Sequence, residues 1–168
     1  MESFDWAMLV LRTGIGLVIM THGVNHARGR QRTTAWFGSI GFRHAELQWL
    51  ASTLSELAIG TLLILGFLTG PAAAGLISVM FVAFWSVHRG NGFFIFRPGE
   101  GWEYVGTLAL IAATIALAGP GAASLDNGIG IDTAFNGWSG AALIAGGLVA
   151  AAGQLAIFFR PEQARTRV

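Results

Sequence analysis

The sequence predicts an all-α integral membrane protein with five transmembrane helices, and three observations carry that reading. Of its 168 residues 54% are hydrophobic and only 11% are charged, and the mean hydropathy is +0.61, too apolar a balance for a globule folded in water. Five apolar runs have the length a bilayer requires, because a hydrocarbon core about 30 Å thick is crossed by roughly 20 residues of helix. Arginines collect in alternate connections between those runs.

The first run, 6–25, follows a terminus that carries Glu2 and Asp5 and has neither the positive start nor the small-residue cleavage site of a secretory signal, so it is expected to remain as a helix. Directly after Arg28 comes "GRQRTTAWFGSIGFRHAELQ", which mixes Arg30, Arg32 and Arg43 with Trp36, Phe37 and Phe42, the composition of an interfacial stretch that does not span. Runs two and three, 49–68 and 71–87, are separated only by Thr69 and Gly70 before Pro71. That spacing suits a tight αα-hairpin whose second helix opens at the proline, so the two are antiparallel neighbours. The next connection, "HRGNGFFIFRPGEGWEY", is rich in glycine and aromatic residues, as irregular backbone at the interface over a cavity would be. The fourth run is 103–118 and the fifth 139–159. Between them "DNGIGID" lacks the ligand spacing of a calcium loop and reads as a turn. An echo between "ELAIGTLLILGFLTGPAAAG" and "EYVGTLALIAATIALAGPGAA" is taken as the similarity of apolar helices drawn from few residue types.

With five spans, Arg28, Arg30, Arg32 and Arg43, then Arg89 and Arg97, then Arg160, Arg165 and Arg167 all share one side, opposite Glu2, Asp5, Asp126 and Asp132. Basic residues near helix ends are retained in the cytoplasm. The N-terminus is therefore expected outside and the C-terminus inside.

An ionisable side chain near the bilayer centre costs at least about 2.5–3.5 kcal/mol, so Arg12 and Glu56 each need a partner, a water cavity or a route to the surface. Helix rise puts Arg12 about 5 Å outside the midplane and Glu56 about 4 Å inside it, with the side chains leaning apart, which argues against a direct pair. Arg12 is expected to reach the outer headgroups, to pair with Asp5 or Asp126, or to serve a site. His22, His88 and Glu103 fall on the cytoplasmic side with His26 near the surface, and His22 and His26 share a helix face. These residues and Glu56 are expected to line one polar pocket, with Trp36, Trp85, Phe93, Phe94, Trp102 and Tyr104 as apolar walls. Glu56 and His88 are its candidate catalytic groups.

Absence of cysteine excludes disulfides, thiolate metal sites and dithiol redox chemistry, and a net charge of +1 offers no basic surface for nucleic acid. The three histidines form no recognised haem or metal signature. An apolar cleft with His and Glu as proton partners permits a quinone, whereas five short helices leave little room for alternating-access transport. Glycine and alanine on the helix faces, at Gly14, Gly16, Gly60, Ala72 to Gly75, Gly140, Ala141, Gly146 and Gly147, suit close packing against other helices and favour a subunit of a larger assembly in the bilayer.

Taken in order, Arg12 with "GLVIMTHGVNH", "AWFGSIGF", "SELAIGTLLILGFLTGPAAAGL", "VHRGNGFF", "GEGWEYVGTLAL" and "LAGPGAASLD" resemble the DoxX family of small bacterial membrane proteins, over residues 10–126. The resemblance implies a four-helix membrane bundle in 1–126, with 127–168 adding an extracytoplasmic loop, a fifth transmembrane helix and a short cytoplasmic tail. It carries Arg12, Glu56, His88 and Glu103 over as family-like polar positions. It implies an accessory subunit of a redox or respiratory membrane assembly that contacts quinone. The alternatives are an autonomous quinone-linked oxidoreductase using the Glu/His pocket and, third, a small lipid or solute carrier. Lack of cysteine separates the chain from distant relatives that handle disulfides.

Overall fold

The computed structural model describes residues 1–161, and within them every regular element is helical. The arginines expected in the tail, Arg165 and Arg167, lie outside the described residues. Helix α1 (Ser3–Arg28) is followed by the short α2 (Arg30–Ser39), α3 (Ala45–Leu65) and α4 (Thr69–Ala83), which continues as a π-helical turn, Phe84–His88. Then come α5 (Glu103–Ala118), the one-turn α6 (Leu125–Gly128) and α7 (Gly137–Phe158).

Four helices are long and apolar enough to cross a bilayer: α1, α3, α4 with its π turn, and α7. The fourth expected span, α5, has 16 residues and is the short one, about 24 Å along its axis. The arginine-rich connection forms the ten-residue α2, too short to span. Pro71 sits in the first turn of α4, where its missing N–H costs no hydrogen bond. The sequence echo ends here, because the second Gly-Pro, Gly119 and Pro120, closes a helix and enters a loop.

α1 packs along α3, α4 lies against α3, and α5 and α7 both pack on α4 and on each other. The core between them holds Ile15, Ile19, Leu63, Leu76, Ala112 and Ile115, all nearly free of solvent contact. α1 and α3 approach most closely at two glycines. A Cβ on Gly16 would lie 2.9 Å from the Gly60 carbonyl oxygen, and one on Gly60 would lie 2.8 Å from that of Gly16, so any side chain there would push the helices apart.

The two ends of the bundle are built differently. At one end Arg12, 1% exposed, gives its guanidinium to backbone carbonyls: Nη1 donates to Leu63 (3.0 Å) and Ile64 (2.7 Å), Nε to Pro120 (3.2 Å), and Nη2 to Ala123. Leu63 and Ile64 lie in the last turn of α3, at the negative end of its dipole, and Leu63 also accepts the Gly66 N–H at 3.2 Å. Gly66 terminates α3 in the left-handed conformation (φ +64°), and the Phe67 N–H returns to the Leu62 carbonyl at 2.9 Å. The Asp126 N–H bonds the Gly66 carbonyl (2.9 Å), and its carboxylate accepts the Leu68 and Thr69 N–H groups at 2.8 and 2.9 Å, capping the start of α4. Asp5 accepts the Ala122 N–H at 2.8 Å, fastening α1 to the same loop. "DNGIGID" is therefore a capping element as well as the expected turn.

At the opposite end lie Arg28 of α1, Arg30 and Arg32 of α2, Arg43 before α3, Arg89 and Arg97 between the π turn and α5, and Arg160 after α7. Here the Arg43 N–H bonds the Phe158 carbonyl (2.8 Å) and the Arg160 N–H that of Gly41 (2.7 Å), so α7 is tied to the entrance of α3 by a short β-bridge between Phe42 and Phe159.

Substitution Gly66→Ala forces a left-handed alanine whose Cβ would meet the Arg12 Cζ at 2.8 Å. Asp126→Asn replaces one of the two carboxylate oxygens that accept the Leu68 and Thr69 N–H groups by an amide donor and is expected to cost about 1–3 kcal/mol. Thermal unfolding in detergent should show both variants melting well below the parent protein.

Candidate functional site

Below Gly16 and Gly60, toward the arginine end, the helices separate around a cavity of about 360 Å³. Its wall is assembled from every main element: His22 and His26 of α1, Trp36 and Phe37 of α2, Gln48, Ser52 and Glu56 of α3, Met80 of α4, Ser86 and His88 of the π turn, Tyr104 of α5 and Gln154 of α7. α1 and α3 stay in close contact along one side of it, at Gly16 and Gly60 and again at Gly23, where a Cβ would lie 3.0 Å from the Leu57 backbone nitrogen.

Two polar groupings interrupt the apolar wall. In the first, His26 Nδ1 lies 3.0 Å from Glu56 Oε2, while Ser52 Oγ is 3.1 Å from Glu56 Oε1 and 3.2 Å from His26 Nδ1. Glu56 is 95% buried, its residual exposure being 5%. Its Oε1 accepts from Ser52, but Oε2 receives no directed hydrogen bond: the imidazole is at ion-pair distance with its ring N–H direction off the oxygen. Serine and carboxylate both approach Nδ1, which is not a nucleophilic triad, where they use opposite ring nitrogens. A hydrogen bond from Trp49 Nε1 to the His26 carbonyl (2.8 Å) fixes the end of α1 beside α3.

In the second grouping, the Tyr104 hydroxyl is 3.2 Å from His22 Nε2, with the rings stacked at 6.0 Å. His22 is exposed and Tyr104 half-buried, so this pair stands at the rim between α1 and α5. Deeper in, Gln154 Nε2 donates to Gln48 Oε1 (2.8 Å), an amide contact that joins α7 to α3. His88 Nδ1 lies 2.8 Å from the Glu100 carbonyl, and Asn91 Nδ2 donates to the Val87 carbonyl (3.1 Å) and to Gly99, so the connection after the π turn folds back over the cavity.

Of the residues expected from sequence, His22, His26, Glu56, His88, Trp36 and Tyr104 line this cavity, and Trp85, Glu103, Phe93, Phe94 and Trp102 do not. Trp85 is displaced by the π turn. Its extra residue per turn leaves the indole stacked on Phe81 (6.1 Å) beneath the Arg89 guanidinium (4.4 Å), facing outward, while Ser86 and His88 face in. The Glu103 carboxylate accepts the Ile95 N–H at 3.1 Å and staples the loop. Phe93 packs on Trp102 (4.7 Å), and Phe94 on Phe93 and on Phe96, forming a partly exposed aromatic cluster beside the cavity. Arg12 stands apart from this site, bonded to carbonyls rather than to headgroups. Sequence reasoning missed Gln48, Ser52 and Gln154, because single hydroxyls and amides inside apolar helices carry no spacing signal. Among the described residues, no three His, Cys, Asp or Glu side chains gather as a metal site would need.

A helical bundle with several spanning helices, its one intramembrane cation clamped at one end and a polar-edged cavity near the other, defines a small polytopic membrane protein. Residues 7–89, just under half of the chain, match the DoxX family model, so this part of the chain is similar to DoxX-family membrane proteins. The match runs from α1 through the π turn; α5 and α7 follow it, so Tyr104 and Gln154 lie beyond. No curated protein and no solved structure matches the chain significantly.

Replacing Gln48 by Leu strands the Gln154 amide and is expected to destabilise the protein by about 1–3 kcal/mol. Replacing both glutamines by Leu should recover most of that loss, and a double-mutant cycle of detergent melting curves checks it.

Proposed function

We propose that this protein is an accessory subunit of a membrane redox assembly and that its cavity receives the headgroup of a quinone or quinol. One observation carries the reading: an apolar cavity of ligand size, about 360 Å³, bears hydrogen-bonding groups at two separate places, His26–Ser52–Glu56 within and His22–Tyr104 at the rim. A flat ring with oxygens on opposite edges asks for that arrangement. Glu56 Oε2, buried without a directed partner, is an acceptor suited to a ligand hydroxyl, and His22 Nε2 and the Tyr104 hydroxyl suit the far oxygen. The rim lies between α1 and α5, whose outer faces carry Leu17, Val18, Leu110 and Leu117, so a ligand dissolved in the bilayer meets the opening directly.

A bound quinone supplies exchange of two electrons and two protons. The residues of this chain supply the rest: apolar walls hold the ring, Glu56 and His26 accept or return a proton, and His22 with Tyr104 orients the opposite oxygen. With no cysteine in the chain, electrons are passed to or from the ring by partner subunits, which is why the role is accessory rather than autonomous. The arginine end is placed in the cytoplasm by the retention of basic residues, with the N-terminus outside and the cavity in the inner leaflet of the bacterial cytoplasmic membrane.

Purification of the full chain in mild detergent, with identification of co-purifying proteins and of solvent-extracted quinone, tests both halves. Quinone is expected in near-stoichiometric amount, and Glu56→Gln and His22→Phe should each weaken its retention about tenfold. A redox subunit should co-purify. Preparations free of quinone that also fail to bind an added short-chain quinone would refute the ligand, and lone migration in native gels would refute the assembly.

A further inference from the structure

We infer that His26 and Glu56 form a one-sided proton path, joining the cavity to water at the arginine end and closed toward the aspartate end. The inference extends the quinone reading, since a ligand hydroxyl in this cavity needs an outlet for its proton, but its geometry is independent of which ligand binds.

The path has two links. Glu56 is the buried acceptor, its side chain 7% exposed, and His26 is the partly open group, its side chain 19% exposed, 3.0 Å away through Nδ1. A proton leaves the ligand hydroxyl oxygen for Glu56 Oε2, breaking one O–H bond and making another. With the His26 ring in its Nε2–H tautomer, turned from Ser52 so that bare Nδ1 faces Oε2, the proton then passes to Nδ1 while the Nε2 proton leaves to water, and rotation of the ring resets the relay. Ser52 touches both members and holds the carboxylate by Oε1, leaving Oε2 for the transfer. The other titratable groups around the cavity are His22 on α1, His88 on the π turn, Glu100 in the following loop and Tyr104 on α5; α2 contributes Trp36 and Phe37, and α7 contributes Gln154. His88 is engaged through Nδ1 by the Glu100 carbonyl and His22 through Nε2 by Tyr104, so His26 is the imidazole in contact with Glu56.

Beyond Glu56 the path stops. The next turns of α3 offer Ile59, Gly60 and Leu63 against Gly16, Ile15 and Ile19 of α1, a closely packed apolar plug with Leu63 fully buried. The polar group on its far side is Arg12, a fixed cation with its donors spent on carbonyls, which repels a proton instead of relaying one.

The experiment uses the full chain in lipid vesicles and follows the infrared band of Glu56, identified as the band absent from Glu56→Gln, after a rapid pH jump. In His26→Phe and His26→Gln the response is expected to slow about a hundredfold, and imidazole added to the buffer should restore most of the rate. Two variants guard against misfolding in one, and the rescue separates proton transfer from a packing effect. Vesicles carrying the parent protein and an internal pH dye should leak protons no faster than empty vesicles. Unchanged rates in both His26 variants, no Glu56 band that follows the jump, or a steady proton leak would each overturn the inference. Failure to find quinone in the purified protein, with His26 still controlling the Glu56 band, would remove the ligand reading and leave this one standing.

Discussion

The structure depends on how one charge is kept inside the membrane. Arg12 cannot release its proton, and a bare guanidinium in hydrocarbon is costly enough to expel α1 from the bundle. Its planar fork of donors is met by four carbonyls: two at the end of α3, of which Leu63 also accepts the Gly66 N–H, and two in the loop after α5. One side chain therefore satisfies both the cation and the terminus of a neighbouring helix. Asp126 does the converse for α4, offering its carboxylate to the first free N–H groups while its own N–H holds Gly66. Opposite charges seated against opposite helix poles fix the α3–α4 hairpin to α1 and to the α5–α6 connection.

That lock explains why the remainder of the bundle can be open. With four elements pinned at one end and α1 pressed to α3 at Gly16 and Gly60 and again at Gly23, that pair can part from α4 and α5 farther down without losing register. Divergence leaves a cavity whose polar groups need not hold the fold together. A carboxylate oxygen with no directed hydrogen bond is tolerable in such a place and would be a serious defect in the plug above it. Order at the aspartate end and unsatisfied capacity at the arginine end are two consequences of the same arrangement.

What could be read from the sequence followed from quantities fixed by the backbone. Helix rise separates Arg12 from Glu56 in depth, and the two indeed have different partners, with Arg12 on the Leu63 and Ile64 carbonyls and Glu56 beside Ser52 and His26. The spacing of His22 and His26 put both on the cavity face for the same reason. Failures arose where the period changed or the partner was not a side chain. Trp85 and His88 would share a face in an α-helix, and the π turn divides them. Glu103 looked like a buried acid of the site but serves a loop N–H, and Arg12 was matched against carboxylates when its partners were carbonyls brought in by turns. Gln48 and Gln154 are 106 positions apart and meet only once α7 has docked.

The docking of α7 also bears on which part of the chain decides what the cavity accepts. The family match ends at residue 89 and so includes Arg12, His22, His26, Glu56 and His88, the lock and most of the proton-bearing groups. Tyr104 and Gln154 come afterwards, one at the rim and the other in the deep wall. α7 reaches that wall because glycines on its inner face admit the backbone of its neighbours: a Cβ on Gly147 would lie 2.6 Å from the Ala74 carbonyl oxygen. The bonds from the Arg43 N–H to the Phe158 carbonyl and from the Arg160 N–H to the Gly41 carbonyl then set how far along α3 it slides, and hence that Gln154 arrives opposite Gln48. Glu56 and the three cavity histidines thus belong to the first three long helices, while the last two complete the wall with Tyr104 and Gln154. Changes in α5 and α7 therefore alter the cavity wall while leaving the Leu63 and Ile64 bonds of Arg12 and the Glu56–His26 contact in place.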